Sequence, residues 1–192
     1  MSSSIQTGVA RPGADTAGST EGLRNLYYAR FGFAIAWALL MLEAAATLTP
    51  VSIALLVLYP LFDVAAAVID FRTSGAARPK APLYLNMALS LLTAVGLGVA
   101  ATSGVPDVLW VWGGWAITAG IVQLIVAILR YRLGGQWAMI LSGGISTLAG
   151  ASFVAGAGAP DASLTALAGY ATLGGIFFLI SAVRLHRRAT RA

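Results

Sequence analysis

Apolar residues run along this chain in six long blocks: roughly Leu26 to Leu48, Val51 to Phe71, Leu83 to Thr102, Val108 to Leu129, Trp137 to Ala157 and Leu164 to Leu185. Each has about the 20 residues that a helix needs to cross a bilayer. Backbone polar groups cannot stay unpaired in hydrocarbon, so the blocks predict helices. Strands of a membrane barrel would be shorter and would alternate apolar with polar positions, which these runs do not. The stretch from Trp112 to Gly150 shows the plan most plainly. An apolar helix ends in a basic turn with Arg130 and Arg132, and a second apolar helix lies back against the first.

The polar positions between the blocks are of two kinds. After the first, third and fifth blocks come short turns with Pro50, Pro106 and Pro160 and no Lys or Arg. Proline costs little at a helix start, where its missing N–H would be unpaired anyway. Asp107 and Asp161 follow their prolines and suit the positive end of a helix dipole. The other connections carry the cations: Arg11, Arg24 and Arg30, then Arg72, Arg78 and Lys80, then Arg130 and Arg132, then Arg184, Arg187, Arg188 and Arg191. All 12 basic residues thus fall on one side. The positive-inside rule then places both termini in the cytoplasm.

Residues 1–25 are polar, without hydrophobic period, and predict a disordered cytoplasmic tail. A signal peptide is the competing reading of the first block, with Glu43-Ala44-Ala45-Ala46 imitating a cleavage site. The long polar lead and the hairpin pattern favour retention. The membrane domain is then 26–188, with hairpins at about 26–72, 82–132 and 136–188, followed by a basic tail at 189–192.

Composition narrows the chemistry. The chain is 58% hydrophobic and 10% charged, against about 25% charged in a soluble domain. A water-facing surface cannot be built from so few charges, so the lipid bilayer is the expected partner. No cysteine is present, which excludes a disulfide framework, a thiolate nucleophile and a Cys-ligated metal. The single histidine, His186, lies in the basic tail. No metal and no cofactor are therefore expected. The net charge of +5 gives no case for nucleic acid, because the cations flank apolar spans where they set orientation.

Parts of the chain repeat. Gly114, Ala116, Gly120, Leu124, Ile125, Ala127 and Arg132 recur at one constant spacing as Gly169, Ala171, Gly175, Leu179, Ile180, Ala182 and Arg187. Thr93, Gly96, Pro106 and Asp107 recur as Thr147, Gly150, Pro160 and Asp161. The first hairpin fits less well: matching Pro50 to Pro106 and Arg72 to Arg132 requires two registers, about one turn apart. Every copy starts and ends on the same side, so the repeats are parallel. On the pattern GGxxxxxGIxQLIxAxxRYR, followed by GG, an aromatic residue and a Gly-rich return helix, the chain resembles the HdeD family of small bacterial membrane proteins built from DUF308 repeats. The resemblance covers most of 26–188 and is best from Asp107 to Arg188. It implies a six-helix protein of the bacterial inner membrane associated with acid resistance or stress, and it brings no catalytic residues with it.

The residues most able to carry chemistry are ionisable groups inside the spans. Glu43 falls in the outer third of the first helix. Asp63 falls near the middle of the second, three residues after Pro60. A charge at that depth costs at least about 2.5 to 3.5 kcal/mol, so both must be paired, wetted or protonated. Pro60 removes one helix hydrogen bond, frees the Leu56 carbonyl and predicts a kink. A kink beside a carboxylate is a candidate proton or ion site, with Asn86 and Gln123 as hydrogen-bonding company. The alternative is that both acids are structural. Asp70 sits beside Arg72 as an interface pair. The glycines Gly96, Gly98, Gly113, Gly114, Gly120, Gly143, Gly144, Gly150, Gly174 and Gly175 read as close-packing positions. Trp110, Trp112, Trp115, Tyr131 and Trp137 read as aromatic belts.

These features predict an all-α, six-helix membrane bundle of three parallel hairpins. The expected function is that of a non-enzymatic protein of HdeD type, linked to acid or envelope stress through protonation of Glu43 or Asp63. The alternative is a small proton, ion or solute transporter or channel, with a homo-oligomer as a working form because one six-helix unit is small. A membrane enzyme would require a cluster of catalytic groups, and the polar side chains are spread over different helices.

Overall fold

The computed structural model describes residues 12–73, 80–129, 131–133 and 136–190. Arg11, Arg78, Arg130 and Arg191 lie outside the described residues. Six helices follow in order: α1 (Pro12–Ala44), α2 (Pro50–Thr73), α3 (Lys80–Ala100), α4 (Val105–Leu129), α5 (Trp137–Gly156) and α6 (Thr165–Ala189), with a 3₁₀ turn at Tyr131–Leu133. All six contain segments long and apolar enough to cross a membrane. The shortest of these, Ala81–Ala100 and Trp137–Gly156, have 20 residues each, or about 30 Å at 1.5 Å per residue. The described residues contain no strand. Large apolar side chains point outward, Leu129 at 80% and Leu148 at 73% exposure. An outer surface of that kind suits acyl chains.

Residues 12–25, expected in the unstructured tail, are helical and continue α1. Once the apolar part of α1 has formed, each added residue gains a hydrogen bond without a new nucleation cost, and Pro12 suits the first helical position. Residues 1–11 lie outside the described residues. At the other end of the hairpin, Thr49 caps α2. Its hydroxyl accepts the Ser52 N–H at 3.2 Å, and Ser52 Oγ accepts the Thr49 N–H at 2.7 Å. Asp107 does lie in the first turn of α4. Asp161 instead precedes α6, whose start is held by Ser163 Oγ accepting the Thr165 N–H at 3.2 Å. Gly104, with φ +129°, turns the chain from α3 into α4, a conformation that a side chain would strain.

Each helix packs against its neighbours in sequence, and α6 packs against α1, so the six form a closed ring. Packing around the ring is uneven. The intimate pairs are α4 with α5, α1 with α6 and α2 with α3. The seams α1–α2, α3–α4 and especially α5–α6 are looser. The tight pairs therefore straddle the predicted hairpins instead of coinciding with them. For α4–α5 and α1–α6 the cause lies in where the small residues face. A Cβ built on Gly120 would come within 2.7 Å of the Gly143 carbonyl, and one on Gly113 within 2.7 Å of the Gly150 carbonyl. The backbones of α4 and α5 thus touch along two glycine pairs. Gly175, the repeat counterpart of Gly120, meets Ala34 of α1 at 3.1 Å. By contrast, Gly114 and Gly144 face open space. In lipid, where no hydrophobic force separates helix from solvent, such close approach is the main source of helix association.

Two of the expected belt residues are core residues. Trp112 and Trp115 are 0% and 8% exposed, whereas Trp110, Tyr131 and Trp137 are open to the surroundings at 57%, 64% and 55%. A spacing of three residues, Trp112 to Trp115, puts both indoles on one helix face, and that face turns into the ring.

A candidate site in the lumen of the helix ring

Aromatic side chains fill the half of the lumen nearer the proline turns. Trp37 of α1 stacks on Trp112 of α4 with ring centres 5.4 Å apart, and Tyr59 of α2 stands edge-on to Trp37 at 4.7 Å. Trp115 meets Trp112 edge to face at 5.5 Å. Trp37 Nε1 donates to the Leu55 carbonyl at 2.7 Å, next to the Leu56 carbonyl that Pro60 leaves without its usual donor. Pro60 is buried, and α2 remains helical through it. The indole N–H groups of Trp112 and Trp115 have no acceptor among the described residues.

Below this layer, toward the end of the bundle that carries Arg24 and Arg72, lies an ion pair. Arg30 of α1 donates through Nη2 to Asp63 Oδ1 of α2. The other carboxylate oxygen, Oδ2, accepts from Asn86 Nδ2 at 2.6 Å and from Ser90 Oγ at 2.8 Å, both on α3. The guanidinium also lies 4.3 Å over the Phe178 ring of α6. Four helices therefore converge on one charge pair. Asp63 is 8% exposed, and a carboxylate that deep is tolerable only with this many donors. Taking two charges out of water is expensive, and the hydrogen bonds beyond the pair itself help repay it.

The pair sits on the wall of a cavity of about 450 Å³ lined by residues from all six helices, Arg30, Asp63, Asn86, Gln123, Ser146 and Tyr170 among them. A smaller cavity of about 200 Å³ near the α3–α4 seam shares Asn86 and Gln123 with it. The larger volume falls in the range of small-molecule sites, which pair apolar walls with a few placed polar groups.

The residues singled out from the sequence separate here. Asp63, Asn86 and Gln123 face the same cavity, and Asn86 bonds Asp63 directly. Gln123 instead donates to the Met139 carbonyl at 3.1 Å and ties α4 to α5. Glu43 is exposed near the far end of α1 and does not line the cavity. Asp70 is buried near the end of α2, while Arg72 is exposed. Arg30, which the sequence reading counts among the orientation-setting cations, lies inside the first apolar block and belongs to the site. Its place inside that block is the signal in the sequence, because a cation at depth needs a partner as much as an acid does. Ser90, Tyr59, Trp115, Tyr170 and Phe178 are unremarkable membrane residues in sequence and become neighbours only in the ring. Polar groups scattered over separate helices are thus not scattered in space.

No known protein family, curated protein or solved structure matches this chain. The site is therefore argued on its own geometry.

Proposed function

We propose that the protein is a non-enzymatic, multi-pass protein of the bacterial cytoplasmic membrane that binds and moves a proton or small solute through the lumen of its helix ring. One observation carries this reading: Asp63, Arg30, Asn86 and Ser90 form a charged, hydrogen-bonded centre on the wall of a cavity inside the apolar bundle. Ionisable groups at such depth are expensive and mark ion or substrate paths in membrane proteins. Two charges held by mutual hydrogen bonds can exchange partners with a proton or a solute without either being left bare. Flux in liposomes tests the reading. Wild type is expected to move protons or a common ion, and Asp63→Asn and Arg30→Gln are each expected to abolish that movement. Absence of flux from wild-type protein overturns it.

The link to acid or envelope stress is a second reading, supported by the resemblance to the HdeD family and by the buried acid. Cells carrying Asp63→Asn are then expected to survive low pH less well, and cells carrying Glu43→Gln to survive as wild type, since Glu43 stands outside the cavity. Equal survival of all three removes the protonation mechanism.

In this proposal the basic end of the ring faces the cytoplasm. The chain has no cysteine, so single cysteines can be introduced against a clean background. A cysteine at Pro106 or Pro160 is expected to react with an impermeant maleimide from the outside of intact cells, and one at Arg72 only after lysis. Labelling of all three from one side is incompatible with the threading.

A further inference from the structure

The α5–α6 seam is the loosest in the ring, and side-chain contacts cross it at two levels. Toward the proline turns, Ser146 and Tyr170 share a hydrogen bond at 3.1 Å, and the Tyr170 ring meets Phe153 at 5.7 Å. Toward the basic end, the Arg184 guanidinium lies 5.1 Å from the centre of the Trp137 ring. Between these levels, about 14 Å apart along α5 at 1.5 Å per residue, the cavity is lined by Met139 of α5 and Ile180 of α6. Neither is buried, at 37% and 40% exposure. A seam this loosely closed, with cavity-lining residues on both of its helices, is where the wall is weakest.

Charge on the cavity wall is unequal. Arg30 and Arg184 face it, against the single carboxylate of Asp63. That carboxylate is saturated by Arg30, Asn86 and Ser90. Arg184 has no carboxylate partner among the described residues and stands at the basic end of the seam. The rest of the wall is largely aromatic and aliphatic.

We propose that the cavity is loaded sideways from the bilayer through the α5–α6 window, and that its ligand is a single-chain anionic amphiphile of fatty-acid type whose head group is held by Arg184. The inference rests on the lumen being the working site and names what occupies it. An acyl chain dissolved in the membrane already lies at the depth of the window, and the apolar wall accepts it. The anionic head then meets a guanidinium that offers several N–H donors instead of being drawn into hydrocarbon.

Native mass spectrometry of the full chain in a nonionic detergent, with added oleate, tests this without requiring flux. One bound oleate per chain is expected. Oleyl alcohol, with the same chain and no charge, is expected to bind about tenfold more weakly, in line with the loss of a hydrogen bond to a charged group. Arg184→Gln is expected to lower oleate binding by a similar factor. Gly174→Leu, at a position where an added Cβ has only the Tyr59 hydroxyl at 4.0 Å, puts a branched side chain into the cavity and is expected to abolish the adduct. Ile180→Trp adds bulk to the cavity wall on α6 and serves as the independent variant should Gly174→Leu not fold. Equal binding of oleate and oleyl alcohol, an adduct that survives both blocking variants, or a preference for two-chain phosphatidylglycerol over oleate each overturns the proposal. An oleate adduct in a protein without flux would sink transport and leave this site standing. Flux of protons without an adduct would do the reverse.

Discussion

Alanine at Asp63 is expected to destabilise the protein by about 3 to 5 kcal/mol, the cost of leaving one member of a buried ion pair alone. The loss has two sources. Arg30 would remain charged inside the ring beside the Phe178 ring. Asn86 and Ser90 would each lose an acceptor at 2.6 and 2.8 Å. Removing both charges at once is a different case, because a pair replaced by apolar residues of similar volume loses its desolvation penalty together with its attraction. The double variant Arg30→Met with Asp63→Leu is therefore expected to recover most of the stability lost by Asp63→Ala, although it should remain inactive in flux. Equilibrium unfolding in mild detergent, run as a double-mutant cycle, reads the coupling directly. Additive effects of the two single changes would mean that Arg30 and Asp63 do not act as a pair.

The second large effect is expected at the glycine contact of α4 and α5. Gly120→Leu is expected to cost about 3 kcal/mol or more, at the upper end of overpacking penalties. A Cβ at that position would stand 2.6 Å from Thr147 Oγ1 and 2.7 Å from the Gly143 carbonyl. The nearest atoms include backbone, so no rotamer change can relieve the clash and the helices must separate. Gly114→Leu, on the same helix with nothing within 4 Å of its Cβ, is the matched control and should change stability little. Similar losses for the two variants would show that the helix dislikes leucine for some reason other than contact with α5. Because α4 and α5 each form part of the cavity wall, Gly120→Leu should also distort the site. The double variant at the ion pair should leave the rest of the ring in place.

Six runs of about 20 apolar residues, separated by proline turns on one side and basic turns on the other, could form little else than six crossing helices. The reason is local: a backbone in lipid must satisfy its own hydrogen bonds, and length and apolarity decide where it can do so. Asp63 stood out in the sequence on the same grounds, since a charge in the middle of an apolar run is visible without knowing its partners. The partners were a different matter. Glu43 and Asp63 looked alike as acids within spans, yet one ended on the outside of α1 and the other inside the ring. Helical periodicity on a run apolar all round does not say which face turns inward. Trp112 and Trp115, which read as belt residues in sequence, are core residues for the same reason.

What the amino-acid order determined alone is the number of helices, their apolar spans and the presence of an acid that needs company. Only the tertiary structure decided which helices embrace, because that depends on which glycines oppose each other across a gap. It also brought Arg30 from α1, and Asn86 and Ser90 from α3, to Asp63 on α2, and it left α5 and α6 only loosely joined beside the cavity. Such neighbours are far apart along the chain, and the contacts that unite them exist only once the ring has closed.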